Sequence, residues 1–283
     1  MNRQLLALYG LKWDPFSPEI PDDALWRPPA IEHFCWRIEQ QVRDGGFALV
    51  TGDSGAGKSI ALRLLARHLT GLPELVVGVV KRPQSTLVDF YRELGEVFGV
   101  SLVVNNYCWT SFKALREKWE SHMAATLWRP VLLVDEAQEM APRVLSELRM
   151  LASTNFDSRS ILTVVLAGDG RLIELFRLPQ LVPLGSRIRT RLMLEYVTPK
   201  DLAEFLRHIL VQAGNPQLMT EGLQTTLCEH AAGNYRVLCN MAAELLAEGL
   251  RREGAQLDEK LYLQVFAPST KQRSRADVRK TAG

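Results

Sequence analysis

The sequence is short of cysteine, and the four cysteines it has are scattered. Cys35, Cys108, Cys228 and Cys239 form no Cys-x-x-Cys pair and no cluster with histidine. That excludes the usual zinc modules and a disulfide framework, and it fits free thiols in a reducing compartment. No apolar run approaches the ~20 residues that cross a bilayer as a helix. Residues 1–11 hold one short apolar patch (Leu5, Leu6, Ala7, Leu8) and no small-residue cleavage pattern, so they do not read as a signal peptide. A cytoplasmic protein without a membrane partner is the expectation. No repeat and no low-complexity tract is found, which excludes solenoids and linker arrays. Excess charge is lacking too, with a formal net charge of +2. The charge is uneven, however. Lys271, Arg273, Arg275, Arg279 and Lys280 stand against Asp277 in the last 13 residues. Residues 268–283 therefore read as a basic, disordered tail that could touch nucleic acid.

What is present suits a folded domain. The chain has 283 residues, 47% hydrophobic and 23% charged, enough to bury a core without staples. Apolar, β-branched runs occur at residues 47–50, 75–80, Val131–Val134 and 161–166, with a weaker one at 192–194. They are apolar at consecutive positions, as in strands buried on both faces of a parallel sheet. Helical stretches at 59–69, 85–98, 111–127 and 143–152 lie between them. This alternation predicts a doubly wound α/β domain with five parallel strands. After Tyr196 only helices are predicted: Pro199–Ala213, 220–232, 235–252 and a short one at 258–266. Thr198 with Pro199 reads as a helix start. The expected organisation is an N-terminal segment (1–29), a nucleotide-binding α/β domain (30–196), a small all-helical domain (197–267) and the tail (268–283).

Two motifs carry the chemistry. Gly52-Asp53-Ser54-Gly55-Ala56-Gly57-Lys58-Ser59 fits G-x-x-x-x-G-K-[ST] at every fixed position, between a predicted strand and a predicted helix. Its glycines let backbone N–H groups close around phosphate oxygens. The helix N-terminus adds partial positive charge. Lys58 is expected at the β- and γ-phosphates of ATP, and the Ser59 hydroxyl at Mg²⁺. The second motif is an apolar strand, Val131–Val134, ending in Asp135-Glu136. Asp135 is the expected Mg²⁺ orienter, and Glu136 the base that positions and polarises the attacking water. A carboxylate adjacent to the metal aspartate argues for hydrolysis over transfer to a bound hydroxyl.

The pair Asp135-Glu136, with helices after the sheet, resembles the AAA+ ATPases. The resemblance implies three further residues. Asp169, ending Val164-Val165-Leu166-Ala167-Gly168-Asp169, stands at the sensor 1 position, where the family has Asn, Thr or Ser. Capping the next helix is the other reading for Asp169. Arg187, Arg189 and Arg191 in "GSRIRTRL" offer an arginine finger acting on a neighbouring subunit, with Arg187 the first choice. Arg236 in Gly233-Asn234-Tyr235-Arg236 matches the sensor 2 pattern of the helical lid.

The resemblance narrows at Tyr9-Gly10-Leu11-Lys12-Trp13-Asp14-Pro15-Phe16, which looks like the opening of ExeA-type AAA+ ATPases. With "VLAGDGRL", "GSRIRTRL" and "GNYRVL" it covers about residues 5–266. That group includes secretion-assembly ATPases and transposon-borne helpers related to TniB and TnsC, and more distantly to IstB and Mu B. Secretion members carry a membrane span and a peptidoglycan-binding region after the ATPase. This chain is expected to end soon after the lid, as the transposon members do. The resemblance therefore implies a homo-oligomeric ring or filament on duplex DNA, without sequence preference, that recruits or activates a transposase of the integrase type. A secretion-assembly ATPase is the alternative, as is another DNA-directed switch. Lys81, Arg82, Lys113, Arg116 and Lys118 are candidate phosphate contacts. For the last three a solvated helix face alternating with Glu117 and Glu120 is the plain alternative.

Overall fold

A computed structural model describes residues 2–73, 75–101, 108–156, 158–254 and 256–266. The basic tail at 268–283 lies outside the described residues. Two compact units are formed, one by Arg27–Tyr196 and one by Met1–Trp26 together with the chain from Val197 onward.

The first unit is an α/β layer structure. Its strands are β1 (Gly46–Gly52), β2 (Val77–Val80), β3 (Val131–Val134), β4 (Ser153–Thr154), β5 (Arg159–Ser160), β6 (Thr163–Gly168) and β7 (Ile188–Leu194). Five of them make a parallel sheet in the order β2-β3-β6-β1-β7, while β4 and β5 form a short separate antiparallel ladder. β3 and β6 are buried at every position, and so is β1 up to Gly52. Helices on both faces supply that burial, and the core runs from Phe47, Leu49, Val134 and Leu166 to Phe90, Trp119, Leu145 and Leu148.

The two edge strands depart from the expected two-sided burial. β7 alternates buried and exposed residues, with Ile188, Thr190 and Leu192 inward and Arg189, Arg191 and Met193 outward. It also begins four residues before the apolar run at 192–194, because the interleaved arginines hide its period of two. On the other edge Val79 is 45% exposed. An edge strand has a neighbour on one side only, so its second face receives less cover.

The expected helices appear as α3 (Lys58–Thr70), α4 (Leu87–Phe98), α5 (Trp109–Thr126) and α6 (Pro142–Ala152). α2 (Pro29–Gln41) was not expected, although Ile31, Phe34, Cys35 and Ile38 are buried at helical spacing after a proline at its first turn. The short helices α7 (Gly170–Leu175) and α8 (Val182–Gly185) complete the unit.

The second unit is helical: α1 (Asn2–Tyr9), α9 (Pro199–Ala213), α10 (Glu221–His230), α11 (Tyr235–Arg251) and α12 (Glu259–Phe266). Thr198 and Asp201 form a reciprocal capping box at the start of α9, with Pro199 in its first turn. Gly214 ends α9 in the left-handed conformation at φ 102°. The N-terminal segment belongs to this unit. Leu5, Tyr9, Leu11 and Phe16 are buried in one cluster with Leu206, Ile209, Leu238 and Leu245. Lys12 N donates to Ala213 O (2.8 Å), and Asn215 Nδ2 donates to Tyr9 O (2.8 Å). A Cβ at Gly249 would stand 2.5 Å from both Tyr9 Oη and Leu257 Cδ2, so a side chain there would have to displace them.

Tyr9 is 3% exposed. Tyr9→Ala should therefore cost about 3–4 kcal/mol, the range for truncating a buried aromatic. It should also speed amide exchange across α9–α12. Chemical denaturation checks the first effect and hydrogen exchange the second. A change below about 1 kcal/mol would show that α1 is not part of the helical core.

Candidate functional site

β1 leaves the sheet at Gly52, opposite Leu194 of β7. A Cβ at Gly52 would lie 2.4 Å from Leu194 O, so only glycine lets the two strands stay paired here. The chain then turns back through Gly55 at φ 85° and Gly57 at φ 101°, conformations costly for any other residue. α3 starts at Lys58 with Gly57 as its N-cap, and no side chain caps it. The first-turn N–H groups of α3 therefore point toward the loop, with the helix dipole behind them. Lys58 is 7% exposed, and its Nζ donates to Gly52 O (2.9 Å) and Asp53 O (3.0 Å). These two carbonyls compensate the burial of the ammonium and hold it inside the loop. Ser59 follows, exposed, in the first turn. Asp53 and Ser54 are exposed, and Ala56 anchors the loop by donating its N–H to Asp53 O (3.2 Å).

This donor set fits a polyphosphate: backbone N–H groups at a helix start, one ammonium, and glycines that leave no side chain in the way. Ser59 and Asp135 supply oxygen donors, the kind Mg²⁺ takes.

β3 delivers the carboxylates. Asp135 follows the buried strand and is half-buried, and its Oδ1 accepts from Glu136 N (2.9 Å). Glu136 is exposed and adopts the left-handed conformation at φ 50°. Gln138, 8% exposed, joins this strand end to the next. Its Nε2 donates to Glu136 Oε2, and its Oε1 accepts from Asp169 N (3.3 Å). A Cβ at Gly168 would lie 2.5 Å from Gln138 Oε1, so glycine at the end of β6 admits the amide. No local sequence pattern marks Gln138. Its significance is a bond to a residue 31 positions away, which only the adjacency of β3 and β6 creates.

Asp169 is the N-cap of α7, and its Oδ1 accepts from Arg171 N (2.9 Å). The capping alternative for Asp169 is thus realised. Its carboxylate also pairs with the Arg171 guanidinium (2.9 Å), which reaches Glu139 as well (2.9 Å). Hydrogen bonding from Arg171 holds the Asp169 carboxyl below the usual carboxylate range, and the charge of Lys58 acts in the same direction. The group therefore stays ionised at neutral pH. Its stabilising contribution is present above the unfolded carboxylate range and is lost as pH falls through the lowered folded value.

Arg187 precedes β7, half-buried, and donates to Pro183 O. Ile188 pairs with Phe47 at the start of β1, whereas the loop begins at Gly52. Strand rise puts about 17 Å between those two ends. Arg187 therefore lies too far away to reach the phosphate loop of its own chain. Arg189 and Arg191 project from the exposed face of β7. Arg236 sits in the first turn of α11, in the helical unit, where Asn234 Oδ1 accepts from its N–H (3.0 Å).

Among the candidate phosphate contacts, Arg116 is committed elsewhere, donating to Met150 O (3.1 Å) and Ser153 O (2.5 Å). Lys113 pairs with Glu117 at 3.7 Å on the helix surface. Lys118, Lys81 and Arg82 are exposed.

Residues 41–176 match the protein-family model described as an AAA domain. That segment is similar to AAA domains, and the chain has the P-loop α/β fold of ATP hydrolases. It is 30% identical over 223 residues to General secretion pathway protein A of Aeromonas hydrophila, covering 77% of this chain but 40% of that protein. Cdc6p from Pyrobaculum aerophilum shares its fold with a TM-score of 0.69 at 13% identity, over 91% of this chain and 72% of that one. A Drosophila ORC chain, solved bound to DNA, aligns with a TM-score of 0.68 at 18% identity, over 96% and 68%. Domain III of Thermotoga maritima DnaA gives 0.61 at 18%, over 88% and 96%. These structures share the doubly wound P-loop layer and the helices that follow it. Among the described residues no helix is long and apolar enough to cross a membrane.

Gln138→Leu keeps the volume but removes both bonds. It should leave ATP affinity within about twofold and lower kcat by about 10- to 100-fold, because Glu136 loses its orientation. Steady-state hydrolysis with a separate nucleotide-binding titration checks this. An unchanged kcat would show that Gln138 is only a strand-end bond.

Proposed function

We propose that this chain is an ATP-driven AAA+ switch that assembles on duplex DNA as a homo-oligomer and there recruits or activates a transposase. The observation that carries the switch is the continuous connection Glu136–Gln138–Asp169 beside the Gly52–Ser59 loop. It ties Glu136, the carboxylate assigned here to the attacking water, to the N-cap of α7. A change at the γ-phosphate can thereby alter a helix start.

In this reading the first-turn N–H groups of α3 and Lys58 bind the β- and γ-phosphates, so that charge is met by charge. Ser59 and Asp135 hold Mg²⁺, which when bound supplies Lewis-acid neutralisation of the phosphate oxygens. Glu136, fixed by Gln138, accepts a proton from the attacking water. Asp169 stays ionised through Arg171 and so orients groups by accepting hydrogen bonds. Arg187, too far from its own loop, serves the loop of a neighbouring copy, which makes hydrolysis depend on assembly. Arg236 is the nucleotide-sensing arginine that the family resemblance implies. A cytoplasmic location and a sequence-independent grip on DNA belong to the same reading.

The DNA role is supported by the shared fold with a replication initiation protein and with an ORC chain solved bound to DNA, and by the likeness of "FALVTGDSGAGKS" and "LGSRIRTRL" to transposon-borne helpers. One observation favours a second reading: the 30% identity to General secretion pathway protein A. In that case the same ATPase cycle would serve assembly of a secretion apparatus.

Lys58→Ala should abolish ATP binding. Glu136→Gln should retain it and slow turnover by on the order of 10²-fold or more. Normal turnover in Glu136→Gln would remove Glu136 from the reaction.

Duplex DNA should be retained with ATP or a non-hydrolysable analogue and weakened by ADP. It should be lost at moderately raised salt, since many phosphate contacts release many counterions. Filter binding across nucleotide states measures this. Absence of duplex binding in every state at low salt would end the DNA role and leave the secretion reading in place.

A further inference from the structure

The parallel sheet has a second end, opposite the phosphate loop, where the segments leading into β3, β6, β1 and β7 converge. Their register makes this necessary: Gly46 and Val131 both pair with Thr163, and Phe47 pairs with Ile188. Each segment brings an arginine. Arg43 precedes β1, Arg129 precedes β3, Arg159 lies just before β6, and Arg189 is the second residue of β7.

Backbone geometry holds these side chains close. Arg129 N donates to Val42 O (3.3 Å), and its Nε donates to Ser160 O (3.0 Å), next to Arg159. A Cβ at Gly45 would stand 3.1 Å from Arg129 Cδ and 3.0 Å from the Ser160 side chain. A Cβ at the next residue, Gly46, would stand 3.6 Å from Arg189 Nε. The two glycines thus let Arg129 and Arg189 lie directly against the backbone, one on each. The Arg43 guanidinium stacks on Trp128, 5.4 Å from the ring centre, beside Arg129. Arg43, Arg159 and Arg189 are exposed and Arg129 is half-buried.

The cluster is only partly relieved electrostatically. Burial and the neighbouring charges of Arg159 and Arg189 push the Arg129 guanidinium below its ordinary value, with Asp44 the carboxylate that offsets them. None of the four arginines forms an ion pair among the described residues. Gln41 adds an independent sign of a ligand. It is 8% exposed, and neither its Nε2 nor its Oε1 has a hydrogen-bond partner among the described residues. Its Nε2 would lie 3.8 Å from a Cβ at Gly46, on the same side as Arg189 Nε.

We infer that the end of the sheet opposite the phosphate loop is a nucleic-acid backbone site, in which Arg43, Arg129, Arg159 and Arg189 take phosphates of duplex DNA. Guanidinium groups present planar pairs of donors that match phosphate oxygens. Four of them on separate segments offer more donors than one small anion takes up. Contacts of this kind fix register without reading bases, consistent with sequence-independent binding. The inference rests on the DNA role proposed above and supplies its contact surface. It also replaces Arg116, whose guanidinium is committed within the fold. Because the site lies at the far end of β1 from Gly52, DNA and nucleotide can be held at once.

The test is fluorescence anisotropy of a random-sequence duplex with the full chain and a non-hydrolysable ATP analogue, over a range of salt. The double variant Arg43→Glu/Arg159→Glu changes only exposed side chains. It should weaken binding by about tenfold or more and reduce the slope of log K against log salt by about 2, while ATP turnover without DNA stays unchanged. Asp44→Asn, which removes the opposing carboxylate, should tighten binding several-fold and serves as a gain-of-function check. Wild-type affinity and slope in both variants would overturn this site and leave the DNA role standing. If the wild-type chain itself binds no duplex, the site and the DNA role fall together.

Discussion

β1 runs through the middle of the sheet, between β6 and β7, and is buried along its length until Gly52. A strand paired on both sides and covered on both faces offers nothing to a ligand except its two ends. The whole arrangement of chemistry follows from that constraint. Parallel strands all leave the sheet at one end and all enter at the other. The exits gather Gly52–Ser59, Asp135, Glu136, Gly168 and Asp169. The entrances gather Arg43, Arg129, Arg159 and Arg189. One topology thus sorts the anion-cradling backbone and Asp135, Glu136 and Asp169 to one end and the four clustered guanidinium groups to the other.

The sequence displayed the first end well and the second end poorly. The loop at 52–59 could be read because its chemistry uses backbone geometry, which only glycine permits, at fixed spacing. The start of α9 could be read because Thr198, Pro199 and Asp201 act within one turn. β3 and β6 were visible because central strands must be apolar at every position. Edge strands escape that rule, so β7 was recognised only in its last three residues. Gln138 and the arginine cluster depend on partners 30 to 140 positions apart in the chain, and no local pattern announces them. The place of α1 beside α9 and α11 was hidden for the same reason. Tyr9 and Gly249 fit each other, but neither signals the other in sequence.

Lys58 illustrates how the loop is prepared. Its ammonium is already dehydrated and already held by two carbonyls. Binding a phosphate there exchanges one set of oxygen partners for another, so little desolvation remains to be overcome. An exposed lysine would lose more rotamer entropy and more water in the same step.

Glu136 has a different cost. Its left-handed backbone at φ 50° is worth about 1 kcal/mol of strain for a residue with a Cβ. Glycine at this position would relax the turn and remove the carboxylate in the same change. Directed evolution scored on melting temperature alone would therefore drift toward Glu136→Gly; if Glu136 activates water as proposed, the more robust protein would bind nucleotide without turning it over. Under that proposal, local stability and catalysis compete at this one φ angle.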